Sequence, residues 1–216
     1  ALTTGDRNIA IGMSSSTGYD AENDNLAIGH SALAGSVAGG EYNISIGNYT
    51  GDALTSADYN VILGYHAGSA LTTGGSNVFV GAGAAMVGTV TGASNVGVGY
   101  EALKDLTTAT RTVGVGMRAL QNLTEGSGSI GIGGNAGEGI TTGTYNICIG
   151  DQAGSLFDTE THNLFIGTDS GKGSIAGAEY SIGVGTYTLD ALTSGDANVA
   201  MGYQAGTAIN TGGENT

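Results

Sequence analysis

The sequence predicts an all-β fold, a parallel β-solenoid built from coils of 17 or 18 residues. The first observation is a repeated segment, typified by residues 60–76, that begins again at Asn77. The second is an alternation of aliphatic residues at the start of each repeat, which is typical of a β-strand. The third is a glycine directly after each alternation. Together these features predict short parallel strands stacked along one axis.

The repeats run through all 216 residues without a linker, so we expect one repetitive segment, 1–216. The sequence begins and ends inside a repeat, and we expect it to be part of a longer fibre. Twelve repeat starts, each 17 or 18 residues from the next, are Asn8, Asn25, Asn43, Asn60, Asn77, Asn95, Thr112, Ser129, Asn146, Asn163, Ser181 and Asn198.

Each repeat start is position 1 of its coil, and positions 2 and 4 are aliphatic in every coil. This period of two predicts a strand whose two aliphatic side chains face the same side, which we interpret as the inner wall of the solenoid. The pairs are Ile9/Ile11, Leu26/Ile28, Ile44/Ile46, Val61/Leu63, Val78/Val80, Val96/Val98, Val113/Val115, Ile130/Ile132, Ile147/Ile149, Leu164/Ile166, Ile182/Val184 and Val199/Met201.

Position 3 would then face outward. It is small in most coils and large in a few, as in Ile62, Phe79 and Phe165. Small residues permit close approach of another chain, so we expect this outer face to be a subunit interface. A second internal layer within one chain is the alternative. The small residues are Ala10, Ala27, Ser45, Gly97, Gly114, Gly131, Gly183 and Ala200.

The remainder of each coil predicts a bend, a second strand and a turn. The invariant glycine at position 5 indicates a positive φ, and the Thr-Thr-Gly or Thr-Ser-Gly segment returns the chain to the next coil. A second short strand should bury an alanine near its middle (Ala67, Ala102, Ala119, Ala153, Ala205) and a later aliphatic residue (Leu54, Leu71, Leu106, Leu123, Ile140, Leu192, Ile209).

The asparagines at position 1 should stack one above the other and form a ladder of side-chain hydrogen bonds along the axis. We expect that ladder to be weaker where Thr112, Ser129 and Ser181 replace Asn. A dozen coils at strand spacing make a rod roughly 60 Å long.

A longer repeat of 138 residues is superimposed on the coils. Residues 48–56 recur as residues 186–194, and the 18-residue coil that begins at Asn25 corresponds to the one that begins at Asn163. Eight coils therefore form a larger block, of which the chain holds one copy and part of a second.

Composition excludes several classes of function. A net charge of −14 would repel phosphates, so we expect no nucleic-acid partner, and no apolar run is long enough for membrane insertion. The single Cys148 permits no intrachain disulfide. It occupies the outward position 3, although a buried small apolar residue is the simpler interpretation.

No catalytic, cofactor or metal constellation is evident, and we expect a protein that is not an enzyme. The glycine-rich residues 131–135 lack the Lys-Ser/Thr of a phosphate loop. We interpret His30, His66 and His162 as outward-facing residues without ligand spacing. Three alternatives stay open: calcium at Asp20, Glu22 and Asp24, a carboxylate pair among Asp158, Glu160 and Asp169, and sugar stacking on exposed tyrosines.

The pattern Asn-Val-x-aliphatic-Gly-Tyr-x-Ala-Gly, in residues 60–68 and 198–206, resembles the head repeats of trimeric autotransporter adhesins and the shaft repeats of bacteriophage tail fibres. The resemblance covers the whole chain, although adhesin heads have shorter coils. It implies a left-handed parallel β-roll with three chains around a threefold axis. It also implies an extracellular, cell-surface or virion-borne fibre segment that presents a tip for binding a host or surface, with a host or surface glycan as a partner.

Other functions remain as alternatives at this stage. Within the same class, segments could stack end to end as a self-assembling extracellular filament. An ice-binding solenoid is suggested by Thr72-Thr73, Thr107-Thr108 and Thr141-Thr142, although Glu125, Ser194 and Asn210 interrupt that column. A polysaccharide depolymerase is the enzymatic alternative.

Overall fold

The structure, a computed structural model, describes residues 5–17, 21–35, 39–173 and 177–216 and confirms the parallel β-solenoid. The described residues contain twelve three-residue strands in a single sheet, ordered as in the sequence. The strands are β1 (Ile9–Ile11), β2 (Leu26–Ile28), β3 (Ile44–Ile46), β4 (Val61–Leu63), β5 (Val78–Val80), β6 (Val96–Val98), β7 (Val113–Val115), β8 (Ile130–Ile132), β9 (Ile147–Ile149), β10 (Leu164–Ile166), β11 (Ile182–Val184) and β12 (Val199–Met201).

Every strand pairs in parallel with the next one, and equal positions lie opposite each other. Val61, for example, pairs with Val78, and Ile62 pairs with Phe79. Each coil position therefore forms a column along the axis at about 4.8 Å per coil. Within the described ranges there is no helix long and apolar enough to cross a membrane.

The two faces of the sheet are the reverse of those predicted. Position 3 is the inward one: Ala27, Ser45, Ile62, Phe79 and Phe165 are fully buried. The aliphatic pairs at positions 2 and 4, interpreted above as the inner wall, lie on the outer surface and are half-buried or exposed. The prediction that small position-3 residues form a subunit interface is therefore wrong, because those residues face the interior of their own coil.

The interior is completed by the residues expected from the second half of the coil. The alanines at position 8, such as Ala67 and Ala119, and the aliphatic residues at position 12, such as Leu71 and Leu123, are fully buried. The predicted second strand is absent from the described residues, which have turns and bends there with one isolated bridge between Leu71 and Val90. Each coil is thus one strand followed by a run of turns.

Left-handed backbone conformations make this compact coil geometrically feasible. The position-5 glycines have φ between +119° and +140°, which confirms that prediction. A Cβ on Gly116 would lie 2.4 Å from the carbonyl oxygen of Gly133 in the next coil, so a side chain is excluded there. Three further positions, 7, 9 and 17, have φ near +55° in most coils and are often occupied by other residues, such as His66, Leu103 and Tyr59. These conformations were not predicted from the sequence.

The asparagine ladder is present and buried. In most steps Oδ1 accepts the backbone N–H of the next coil's position 1, at 2.8–3.1 Å. The side-chain amide commonly donates to a backbone carbonyl near the end of its own coil, as from Asn77 Nδ2 to Gly92 O at 3.1 Å. Where serine replaces asparagine, the hydrogen bond from the backbone N–H of the next coil is longer. It measures 3.3 Å both from Asn146 N to Ser129 Oγ and from Asn198 N to Ser181 Oγ. This confirms the weaker ladder at those coils.

Candidate assembly interface

The outer surface of the sheet is a continuous aliphatic strip, made of positions 2 and 4 of all twelve strands. We call it the aliphatic face. Ile44 and Ile132, within the sheet, are 38% and 39% exposed, and Ile9 and Met201, at its two ends, are 53% and 71% exposed. The other members are mostly half-buried, since each is flanked above and below by the same kind of side chain. The sequence pattern correctly grouped these residues on one face but assigned that face to the interior.

An exposed aliphatic face is unusual for a parallel sheet, because parallel sheets occur almost only where both faces are covered. Here the inner face is covered by the turns of each coil, whereas none of the described residues covers the outer one. None of the 19 acidic and 5 basic residues occupies positions 1–5 of any coil. The strongly negative chain therefore has one charge-free surface, along which two copies can approach without repulsion.

Tyrosine and methionine recur, among residues of other kinds, in the two columns that flank the aliphatic face. Position 6, next to the glycine, holds Met13, Tyr65, Tyr100, Met117 and Tyr203, all more than half exposed. At position 17, Tyr42 and Tyr59 stack with ring centroids 5.0 Å apart and an interplanar angle of 2°. His162 lies between Tyr145 and Tyr180 at 5.2 and 5.1 Å. Because stacked rings cover each other's faces, these columns mainly present ring edges to their surroundings.

The dimensions of this surface suit a stable protein interface. Eleven strand spacings and three residues per strand give a patch about 53 Å long and 10 Å wide, on the order of 500 Å². Adding the flanking columns roughly doubles the width, to the order of 1,000 Å². A standard interface buries about 800 Å² per partner.

The charged residues instead lie at the bends, where several support the stacking of coils. The position-16 carboxylates of Asp58 and Asp196 accept the backbone N–H of Glu41 and Glu179, one coil earlier, at 2.8 and 2.9 Å. Each of these contacts joins two successive coils at a bend, in addition to the asparagine ladder.

The acidic bend proposed as a calcium site is engaged in other contacts. Arg7 donates two hydrogen bonds to Asp24, at 2.6 and 2.7 Å, and these lower the pKa of the Asp24 carboxyl and raise that of the guanidinium. The Glu22 carboxylate accepts the backbone N–H groups of Ala21 and Gly39. Asp20 lies outside the described residues. In the described part of the chain, no group of three or more His, Cys, Asp or Glu side chains could hold a metal ion.

The other sequence candidates occupy separate structural roles. Glu160 is 4% exposed and accepts three backbone N–H groups, from Asp158, Thr159 and Gly177, whereas Asp169 forms an ion pair with Lys172. Cys148 is fully buried behind the sheet, and this burial raises the pKa of its thiol to about 12.

In the three Thr-Thr pairs, the hydroxyl group of the first threonine forms a hydrogen bond within the solenoid. The hydroxyl groups of Thr72 and Thr107 donate to carbonyl groups of the following coil, and that of Thr141 bonds the Asp158 carboxylate. Their neighbours Thr73 and Thr108 are exposed. The hydroxyl groups that face solvent therefore form one column rather than a two-column array.

The fold and this surface define the class of the protein as a parallel β-solenoid with an uncovered, charge-free sheet face. Comparison with family models, with curated proteins and with solved structures finds no match to the chain.

Proposed function

We propose that the chain is a structural segment of a homotrimeric, extracellular or virion-borne fibre, in which three copies bury their aliphatic faces against one another around a common axis. The observation that carries the proposal is the aliphatic face itself, which is apolar in all twelve strands and free of charge. Burial of apolar surface is the main driving force of such association, at roughly 25 cal/mol per Å². The trimeric state and the role of presenting a surface-binding tip rest on the resemblance to adhesin and tail-fibre repeats.

Identical copies are the partners that this surface fits. Its side chains repeat at one interval of about 4.8 Å, so a partner in contact along the whole length must repeat at the same interval. Another copy of the chain meets that requirement in every coil. The flanking tyrosines and methionines then lie at the margins of the contact, where amphipathic and flexible apolar side chains are common.

The mechanical role follows from the ladders. Every coil is joined to the next by a strand pair, and in most steps also by the position-1 side chains, so the chain resists extension along its axis. Three such rods packed side by side would be stiffer than one. Their short turns also offer few long loops to proteases.

Light scattering coupled to size-exclusion chromatography tests the assembly. The wild-type chain should have three times the 21.1 kDa mass of one copy. The double variant Val98→Thr/Val115→Thr keeps the β-branched shape but places hydroxyl groups on the aliphatic face. Its trimer should dissociate at a higher protein concentration than the wild-type trimer. Thr142→Asp, an exposed position on another side, is the control and should leave the mass unchanged.

Two results would contradict the proposal. A wild-type chain that is monomeric at all accessible concentrations would remove the role of the aliphatic face, and a stable dimer would exclude the trimer. Circular dichroism of each variant shows whether a change in mass reflects assembly rather than loss of the fold.

A further inference from the structure

A groove away from the aliphatic face lies beside the turns that follow β9, β10 and β11. It has a volume of about 350 Å³ and is lined by Leu156, Asp169, Lys172, Tyr187 and Asp190, with the backbone of Gly173. We call it the Tyr187 groove. This volume falls in the range of small-molecule sites, which combine apolar walls with a few polar groups. Its lining residues occupy positions 7, 10 and 11 of their coils, so none of them belongs to the aliphatic face.

The polar groups of the groove have unused hydrogen-bonding capacity. Lys172 Nζ lies 2.7 Å from Asp169 Oδ1. This contact is an ion pair, in which the ammonium engages one of the two carboxylate oxygens. The Lys172 ammonium has three N–H donors and the Asp169 carboxylate has a second oxygen, so both groups can bond a ligand hydroxyl while the ion pair is kept.

The 138-residue repeat provides an internal comparison for this groove. Tyr187 and Asp190 correspond to Tyr49 and Asp52 in the first block. The Tyr49 ring is covered by two imidazoles. His66 stacks on it at 4.8 Å and 13°, and His30 meets it edge-on at 4.9 Å.

Both of these imidazoles are missing from the second block. Gln204 stands at the position of His66, and Thr168 at that of His30. The only described aromatic contact of the Tyr187 ring is an edge contact to Tyr203, at 6.2 Å, and the residue is 37% exposed. The ring therefore lacks the aromatic cover of its counterpart.

The remaining lining has also changed between the blocks. Asp169 and Lys172 take the places of Ser31 and Ala34, so the second block has gained an acceptor and a donor beside the uncovered ring. The backbone is held as before, because Tyr187 donates its N–H to Thr168 and Tyr49 donates its N–H to His30. One scaffold thus carries two different sets of surface groups.

We propose that the Tyr187 groove binds a neutral pyranose unit of a glycan. The C–H face of a pyranose packs against the Tyr187 ring and Leu156. Its hydroxyl groups donate to the carboxylates of Asp169 and Asp190 and accept from the ammonium of Lys172. An anionic sugar is disfavoured by the two carboxylates and by the net charge of −14. This goes beyond the proposed fibre role, because it gives the shaft a ligand of its own.

Saturation-transfer difference NMR on the native protein tests the proposal. The probes are D-glucose, D-galactose, N-acetyl-D-glucosamine and their β-linked disaccharides, with tetramethylammonium chloride as the cationic counter-probe. At least one sugar should bind in the millimolar range, and Tyr187→Ala should weaken it by about fivefold or more. Tyr49→Ala, the same change in the first block, should leave the affinity unchanged.

A second variant keeps the test informative if Tyr187→Ala misfolds. Gln204→His restores the imidazole that covers the tyrosine in the first block. Because the imidazole would cover the Tyr187 ring, this variant should weaken sugar binding by the same factor. Absence of binding by every sugar would overturn the proposal. So would an equal loss in Tyr49→Ala, or binding of tetramethylammonium alone, which would indicate a cation site. The NMR signal of sugar binding does not depend on the molecular mass of the assembly. A negative result for the glycan proposal is therefore distinct from a negative result for the trimer proposal.

Discussion

Replacement of Asn77 by alanine tests whether the position-1 ladder holds the coils together. Asn77 is fully buried. Its Oδ1 accepts hydrogen bonds from the backbone N–H and the side-chain amide of Asn95, at 2.9 and 3.1 Å, and its Nδ2 donates to Gly92 O at 3.1 Å. Alanine removes all three bonds and leaves the Asn95 N–H and the Gly92 carbonyl without these partners.

The expected loss follows from those two buried groups. A buried donor or acceptor left unsatisfied costs about 1–3 kcal/mol, so Asn77→Ala should lower the free energy of unfolding by roughly 2–6 kcal/mol. Asn77→Ser retains an acceptor for the next coil, in the way that Ser129 accepts the N–H of Asn146 at 3.3 Å. We expect it to cost about half as much.

Urea unfolding followed by circular dichroism, at one fixed protein concentration, measures these differences. Thr73→Ala, at an exposed position of the preceding coil, is the matched control and should stay within about 0.5 kcal/mol of the wild type. If Asn77→Ala is no more destabilising than Thr73→Ala, the ladder contributes nothing to stability and the reasoning fails.

Three further perturbations test the geometry of the coil. Phe165→Ala should lower the free energy of unfolding by about 3–5 kcal/mol, whereas Leu164→Ala should mainly reduce the assembled mass. Chemical unfolding measures the first effect and light scattering the second. Equal effects of the two variants on stability would contradict the assigned faces. Gly116→Ala should cost about 3 kcal/mol more than Gly202→Ala in thermal or urea unfolding, since both have positive φ but only Gly116 has a backbone oxygen within 2.4 Å of the added Cβ. Cys148 should react with a thiol reagent only as fast as the chain opens, because burial raises its pKa to about 12, and rapid labelling of the native protein would refute this.

The sequence predicts the strands well because their signal is local and repeated. The alternation in residues such as Val61 and Leu63 places a three-residue strand in every coil, and the constant spacing gives the parallel register. The invariant glycines and the recurrent asparagines were also interpretable, since each has one dominant physical reason: a positive φ for the glycines and a stacked amide ladder for the asparagines. These features depend on neighbours in the sequence or on the residue one period away.

The orientation of the faces could not be obtained in the same way. Period two shows that Val61 and Leu63 share a face, but it is silent on which face is inside. The usual rule that aliphatic residues are buried then gives the wrong answer for a chain whose outer face is apolar as well. The positive φ values of Leu103 and Tyr59 were equally hidden, since neither residue type favours that conformation.

Positions 3 and 9 of the coil share one space, and this explains the small residues that were mistaken for an interface. A Cβ on Gly171 would lie 2.4 Å from the Phe165 ring, and one on Gly97 would lie 3.3 Å from Leu103. In seven of the twelve coils a large residue at one of these positions is matched by a small one at the other. The matched pairs are Ile62/Gly68, Phe79/Ala85, Phe165/Gly171, Ala27/Leu33, Gly97/Leu103, Gly114/Leu120 and Gly183/Leu189, and in the other five coils both residues are small.

This exchange of size is visible in the sequence when coils are compared with one another rather than read along the strand. Compensation between two positions is expected in a packed interior, where the total volume is fixed. Positions 2 and 4 show no such compensation and stay aliphatic in every coil. That constancy is what a surface requires if it must meet an equally regular partner along its whole length, and it supports assignment of the aliphatic face to assembly.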